Sequence, residues 1–109
     1  MADHVPLREP TYLILTALAS GPAHGYGIIK SVDEMSEGRV RLRAGTLYGA
    51  IDRLEQDGYV AFVGESSEGG PPRRYYRLTS AGTSLLRDEA ARLAANADLA
   101  WSRLGVARP

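Results

Sequence analysis

Glycine and proline residues divide most of this chain of 109 residues into short segments. They interrupt it at residues 20–22, at Gly38 and at residues 69–72. Because Pro cannot continue a helix and Gly is preferred in turns, we expect each interruption to end a helix or a strand. The longest strongly apolar run, residues 12–19, is too short to cross a bilayer. The total length suits a single domain.

The apolar residues of the first half predict three helices. Pro10 begins the first helix, which ends at residues 20–22. The second helix covers residues 23–36 and buries one face. The third covers residues 44–57 and is followed by Gly58, at a position where a left-handed residue often ends a helix. The expected buried positions are Tyr12, Leu13, Leu15 and Leu18 in the first helix, Tyr26, Ile29, Val32 and Met35 in the second, and Leu47, Ile51 and Leu54 in the third.

The second half predicts a hairpin and a long helix. Aromatic and β-branched residues favour strands at residues 59–64 and 73–78, joined by a turn at residues 65–72. Thr79 or Ser80 caps the last helix. Apolar residues then repeat at steps of four and three, a heptad pattern typical of helix pairs. We expect a second copy of the chain to cover this seam, which consists of Leu86, Ala90, Leu93, Ala97, Ala100 and Leu104.

The charges balance, with 13 basic and 13 acidic residues, but the basic residues are clustered. Arginine suits planar, bidentate contacts with phosphate. One cluster precedes the third helix, where phosphate contact and an ordinary solvated edge are both open explanations. The other begins the second strand of the hairpin. The clusters consist of Arg39, Arg41 and Arg43, and of Arg73, Arg74 and Arg77.

This order of elements describes a winged helix, a mainly α fold with a small β-hairpin (α+β), in which the second and third helices form a helix-turn-helix. A helix that enters the major groove of DNA needs small or polar residues at its leading edge. Thr46 and Gly49 lie on such an edge, together with Gly45 and Ala50. The hairpin would form the wing and contact the DNA backbone. The expected DNA contacts from the residues themselves include Arg43, Arg53, Arg73 and Arg74.

Three stretches of the sequence resemble the PadR family of transcriptional regulators in its short form. The first is Gly-Pro-Ala-His-Gly-Tyr-Gly-Ile at residues 21–28. The second, at residues 44–60, begins Ala-Gly-Thr-Leu-Tyr and contains a Leu-Glu pair followed by Gly. The third is Gly-Gly-Pro-Pro-Arg-Arg-Tyr-Tyr-Arg-Leu-Thr-Ser-Ala-Gly at residues 69–82. The middle stretch is the most specific of the three.

The resemblance implies a homodimeric repressor that binds a near-palindromic operator and is released by a small molecule. By position in the motifs, Thr46 and Tyr48 match the front of the family's recognition helix. Arg73, Arg74 and Tyr75 match its wing. This chain departs from the family pattern where Arg43 replaces a small polar capping residue, and where Asp52 replaces a frequent cation.

Several aromatic residues have two possible roles. Tyr48 either contacts phosphate, which we favour, or packs beside the third helix. Tyr75 and Tyr76 alternate along a strand, so one of them faces the core. Trp101 lies beside the heptad seam and needs cover. It either packs in the dimer or, as the resemblance implies, lines a pocket for a small aromatic effector between subunits.

The residue types argue against catalysis. The chain has no cysteine and two histidines. His24 suits a structural hydrogen bond better than a metal, and His4 lies in an expected terminal tail. The acidic pairs Glu34/Glu37 and Asp88/Glu89 are expected to be solvated. We therefore predict no enzyme, no metal site and no cofactor. The alternative function is a winged helix that binds proteins rather than DNA.

The expected organisation has four parts. Residues 1–9 form a flexible tail, residues 10–79 the winged helix-turn-helix domain, residues 80–105 the dimerisation helix and residues 106–109 a second tail. The N-terminus lacks the pattern of a signal peptide. We therefore expect a cytoplasmic protein without membrane contact.

Overall fold

The computed structural model describes residues 6–107. Its elements follow the order α1 (Glu9–Leu18), β1 (Ala23–His24), α2 (Gly25–Met35), α3 (Ala44–Gln56), β2 (Val60–Ser66), β3 (Arg73–Leu78) and α4 (Ser80–Leu104). The three strands form an antiparallel sheet in the order β1-β3-β2. The α+β winged-helix architecture expected from the sequence is confirmed.

The ends of the helices follow the expected signals. Thr79 caps α4, and its hydroxyl oxygen accepts the Gly82 amide at 3.0 Å. Gly58 follows α3 with a φ of 82°, a left-handed conformation that is least costly for glycine. The close packing of α4 also requires Gly82, since a Cβ there would lie 2.0 Å from the carbonyl oxygen of Tyr59. The backbone of α4 therefore lies directly against the residue that precedes β2.

One core connects the helices to the sheet. Leu15, Ile28, Val32, Leu47 and Ile51 are completely buried. Burial of aliphatic side chains of this size stabilises a fold by about 1.5–3 kcal/mol each. The core therefore fixes α3 against α1 and α2, which sets the direction in which the outer face of α3 points.

The second helix differs from the prediction in its start and in its buried face. Ala23 and His24 form a short strand because they pair with Tyr76 and Tyr75 of β3. The buried residues of α2 are Gly25, Ile28 and Val32. Tyr26 and Met35, expected inside, are 67% and 42% exposed. Residues 28 and 29 are both isoleucine, so the apolar periodicity of α2 is compatible with burial of either of two adjacent faces. The pairing of β1 with β3 determines which face is buried.

The N-terminal boundary also differs from the expected one. α1 begins at Glu9, and Leu7 packs partly buried against the core. The Leu7 amide donates to Oε2 of Glu89 at 2.8 Å. Of the expected tail at residues 1–9, residues 7–9 therefore belong to the fold. Residues 1–5, including His4, and residues 108–109 of the second expected tail lie outside the described residues.

Candidate nucleic-acid interface

The start of α3 presents a polar, open surface. Arg43 precedes the helix, and its side chain does not cap it. Thr46 is exposed, and a Cβ added at Gly45 would meet nothing within 4 Å. The first amide groups of a helix lack intrahelical acceptors, and they attract anions. The edge of α3 expected to face DNA is therefore accessible, with Arg43 beside it.

The rest of the predicted edge is less uniform. Gly49 is partly buried, and Arg53 lies exposed beside it. Ala50, expected on the outer face, is 5% exposed and packs in the core. Its position one residue before the buried Ile51 explains the difference, because the apolar stripe of α3 is wider than the sequence steps indicated.

Tyr48 has the packing role considered for it and also remains exposed. It is 41% exposed, so its ring remains available at the surface. Its hydroxyl end lies against Gly25, where a Cβ would come within 2.3 Å of the Tyr48 oxygen. The side chain therefore joins α3 to the start of α2 and keeps one surface open.

The two arginines at the start of β3 have different partners. Arg74 stacks on Phe62 with its Cζ 4.0 Å from the ring centroid, and its Nε donates to the Tyr76 hydroxyl at 3.1 Å. That hydrogen bond, more than the nearby Glu65, raises the pKa of Arg74. Arg73 instead lies beside His24, with Nη1 and Nε2 separated by 2.9 Å. Arg73 is thus the less constrained of the two cations.

The two wing tyrosines divide as expected. Tyr76 is 4% exposed and belongs to the core. Tyr75 is partly buried and meets the His24 ring edge to face, at 5.2 Å between centroids. Tyr75 therefore supports His24 and is only partly available for a contact outside the protein.

Two arginines ahead of α3 form ion pairs with acidic neighbours. Arg39 binds Glu9 through both carboxylate oxygens at 2.6 Å. This hydrogen bond is the main cause that lowers the pKa of Glu9 and raises that of Arg39. Arg41 lies 3.8 Å from Asp33. Of the two open explanations for this cluster, Arg39 and Arg41 fit the solvated edge, whereas Arg43 lies at the start of α3.

A cleft of about 290 Å³ lies between α3, the start of α2 and the wing. It brings together three residues expected from the sequence, Tyr48, Arg73 and Arg74. Among the other residues of its lining are His24 and Tyr26, which were not expected at the site from the sequence. Both belong to the motif at residues 21–28, and their exposure to the cleft depends on the pairing of β1 with β3.

His24 has the structural role expected from the sequence. Its Nδ1 accepts the Gly27 amide at 3.1 Å and so caps α2. Burial, and secondly the charge of Arg73, lowers the pKa of His24. The imidazole is therefore neutral near pH 7.

The predicted seam of α4 lies on another part of the molecule. Its first residue, Leu86, packs against the chain's own core. Leu93 and Leu104 are 39% and 66% exposed, and Trp101 is partly buried. The small residues of the seam are partly buried or exposed, and they are Ala90, Ala97 and Ala100.

A groove of about 240 Å³ adjoins this seam. Leu93 borders it from α4, and Tyr12 and Leu13 border it from α1. Leu7 and Glu9 complete its lining. The groove continues the seam onto α1.

Glu89 corrects the expectation of a solvated acidic pair. Its side chain is completely buried on the inner face of α4. Besides the Leu7 amide, it binds Arg92, with Nε to Oε1 at 2.6 Å and Nη2 to Oε2 at 2.8 Å. The hydrogen bond from Arg92 to this carboxylate raises the pKa of the arginine. Glu89 is thus a structural residue that connects α4 to the N-terminal segment.

Within residues 6–107, no group of three or more His, Cys, Asp or Glu side chains could hold a metal ion. In the same range, no helix is both long and apolar enough to cross a membrane.

The helix-turn-helix with an adjoining basic hairpin defines a winged helix-turn-helix protein. Residues 14–88 match the transcriptional regulator PadR-like family. The chain belongs to this family, whose members are transcriptional regulators and not enzymes.

The chain is also similar to individual proteins in sequence or in fold. An uncharacterized 37.1 kDa protein in transposon TN4556 of Streptomyces fradiae is 42% identical over 83 residues, which are 76% of this chain and 22% of that protein. This chain therefore spans less than a quarter of that relative. A PadR family transcription regulator from Clostridium difficile R20291 has the same fold, with a TM-score of 0.74, 24% identity and coverage of 89% and 99% of the two chains.

One solved relative contains DNA. Bacillus subtilis PadR, in complex with operator DNA, has a TM-score of 0.65 and 26% identity. The similarity covers 74% of this chain and 46% of that one.

Proposed function

We propose that this transcriptional regulator binds double-stranded DNA, with α3 in the major groove and the wing on the adjacent backbone. The observation that carries the proposal is the cleft, which brings Tyr48 of α3 together with Arg73 and Arg74 of the wing. The accessible start of α3 and the operator complex of the Bacillus subtilis relative support it. Arg43, Thr46, Gly49, Arg53 and Tyr75 complete the proposed contact set.

The charge pattern of this surface explains how a chain of zero net charge can bind DNA. Arg73 and Arg74 border the cleft, and of these two Arg74 also lies 3.6 Å from Glu65. Arg39 and Arg41 lie beside acidic partners outside the cleft. Phosphate contacts release condensed counterions, so affinity falls steeply with salt. Local cations at the cleft are sufficient for such contacts.

We further propose that the regulator is a homodimer which represses transcription at a near-palindromic operator. The exposed seam and the groove beside it support a pairing through α4. A small aromatic effector would bind near Trp101 between subunits and release the DNA. We also propose a cytoplasmic location, because the regulator has to be in the compartment that contains its operator.

The test compares duplex binding by two double variants at several salt concentrations. Replacing both Arg73 and Arg74 by Ala should weaken binding to all duplexes alike and reduce the salt slope by about 2. Replacing Arg87 and Arg103 of α4 by Ala removes the same charge from exposed positions outside the cleft and serves as the control. Equal binding by both variants would contradict the wing assignment.

Sequence preference needs a separate experiment. Selection of bound fragments from the source genome should recover a motif with two related half-sites. Replacing Thr46 by Ala should change the recovered sequence rather than the overall affinity for duplexes. Failure of the wild-type chain to bind any fragment at low salt would favour a winged helix that binds proteins.

A further inference from the structure

His24 has a donor on each side. The Gly27 amide lies 3.1 Å from Nδ1, and Nη1 of Arg73 lies 2.9 Å from Nε2. A backbone amide and a guanidinium can only donate hydrogen bonds. A neutral imidazole has one nitrogen that accepts and one that carries hydrogen. One of the two contacts therefore places two N–H groups against each other.

The position of Gly27 determines which contact is the conflicting one. Its amide lies in the first turn of α2, where it needs an acceptor from outside the helix. The backbone cannot turn away, so Nδ1 accepts this hydrogen and Nε2 carries the other. Arg73 has an exposed side chain that can move. The hydrogen on Nε2 thus points toward the Arg73 guanidinium, which cannot accept it.

The surroundings of this pair favour an anion. Arg74 and the Tyr48 side chain line the same cleft, and the described lining residues include no carboxylate. Tyr26 lies under Arg73, with its ring centroid 5.8 Å from Cζ. Tyr75 packs edge to face against the imidazole ring. The lowered pKa of His24 agrees with a neutral ring.

We propose that one phosphodiester group of the DNA backbone binds in this cleft and accepts hydrogen bonds from both Nε2 of neutral His24 and the Arg73 guanidinium. Both groups can donate to the phosphate oxygens once the exposed Arg73 side chain moves away from Nε2, and this movement removes the conflict between the two donors. This inference rests on the proposed DNA binding and adds His24 to its contact residues.

The test uses His24→Asn, which separates the cap from the phosphate contact. Asn is a good helix cap, so its oxygen can accept the Gly27 amide, while the Nε2 donor is lost. At low salt, its affinity for a short mixed-sequence DNA duplex should fall by about 10- to 100-fold, which corresponds to one charge-assisted hydrogen bond. Wild-type melting behaviour serves as the check that α2 is intact.

A double-variant cycle makes the assignment specific. If His24 and Arg73 bind the same phosphate, the effect of His24→Asn should shrink in an Arg73→Ala background. Unchanged duplex affinity of His24→Asn, or additive effects of the two replacements, would overturn the inference and leave the proposed function standing. The proposed function itself fails if the wild-type chain binds no duplex.

The ring hydrogen provides a measurement that needs no DNA. Nitrogen-15 chemical shifts of the His24 ring distinguish a nitrogen that carries hydrogen from one that accepts. We expect hydrogen on Nε2 in the free protein. A hydrogen on Nδ1 would overturn the inference, because Nε2 would then accept from Arg73 and have nothing to donate.

Discussion

The hydroxyl end of Tyr48 occupies the space that a side chain at Gly25 would need. An added Cβ would lie 2.3 Å from the Tyr48 oxygen and 2.7 Å from its Cζ. This contact joins the helix that would enter the major groove to the start of α2. It explains why residue 25 of the motif at residues 21–28 is glycine, since any other residue there would displace Tyr48.

Gly25→Ala should therefore move Tyr48 out of the cleft and lower the free energy of unfolding by about 1–3 kcal/mol, the usual cost of overpacking. Chemical denaturation measures this loss. The control is Gly45→Ala, since a Cβ there meets nothing within 4 Å. It should leave stability equal or raise it by about 0.5–1 kcal/mol. Adding Tyr48→Ala to Gly25→Ala should restore part of the loss; no restoration would contradict this explanation.

Glu89→Ala should destabilise the protein by about 1–3 kcal/mol, because the partly buried Leu7 amide loses its acceptor. Asp88→Ala is the matched control, since it removes the same charge from the neighbouring exposed position. The control should stay within about 0.5 kcal/mol of the wild type. Urea denaturation of the two variants gives the comparison. Equal losses would show that the burial of Glu89 has no consequence for stability.

Acidification should reduce stability through His24. Its pKa in the folded protein lies below the usual value of 6.5, so the unfolded chain binds the proton more readily. The stabilising contribution is complete above pH 6.5 and is lost as the pH falls toward the folded pKa. His24→Asn lacks this titration, so we expect it to match the wild type at about pH 7.5 and to become the more stable of the two as the pH falls to about 5. A difference that does not vary with pH would contradict the direction of the pKa shift.

Leu93→Asp should convert a dimer into monomers, because it places a charge on the exposed seam beside the groove. Sedimentation velocity measures the change. Leu99→Asp is the control, since Leu99 is 61% exposed but lies off the seam. It should leave the dimer intact. Persistence of the dimer in Leu93→Asp would move the interface to another surface.

The winged-helix fold could be predicted because its signals are local. Gly58, the Thr79 cap and the alternating residues of β3 each determine structure within a few neighbours. The short strand at Ala23 and His24 could not be predicted in the same way, because it depends on pairing with a strand about fifty residues later. The spacing of apolar residues in α2 was compatible with two buried faces, because the choice between them also depends on the distant strand β3.

The candidate site shows the same division. Tyr48, Arg73 and Arg74 were predicted from motifs that indicate their elements, and the structure brings them to one cleft. His24 enters that cleft only through the sheet. The buried role of Glu89 depends on the Leu7 amide, which lies 82 positions earlier in the chain. Sequence patterns show which face of an element is apolar, but not which distant backbone group meets it.

The close approach of Gly82 to the Tyr59 carbonyl affects how movement can spread through the molecule. The same carbonyl accepts the Thr79 amide at 3.1 Å, and β2 begins one residue later. The packing at this junction is tight, so α4 cannot rotate there without also moving the base of the hairpin. A tilt of the long helix about Gly82 would therefore also move the wing. The displacement would be larger at the tip of the wing than at this junction.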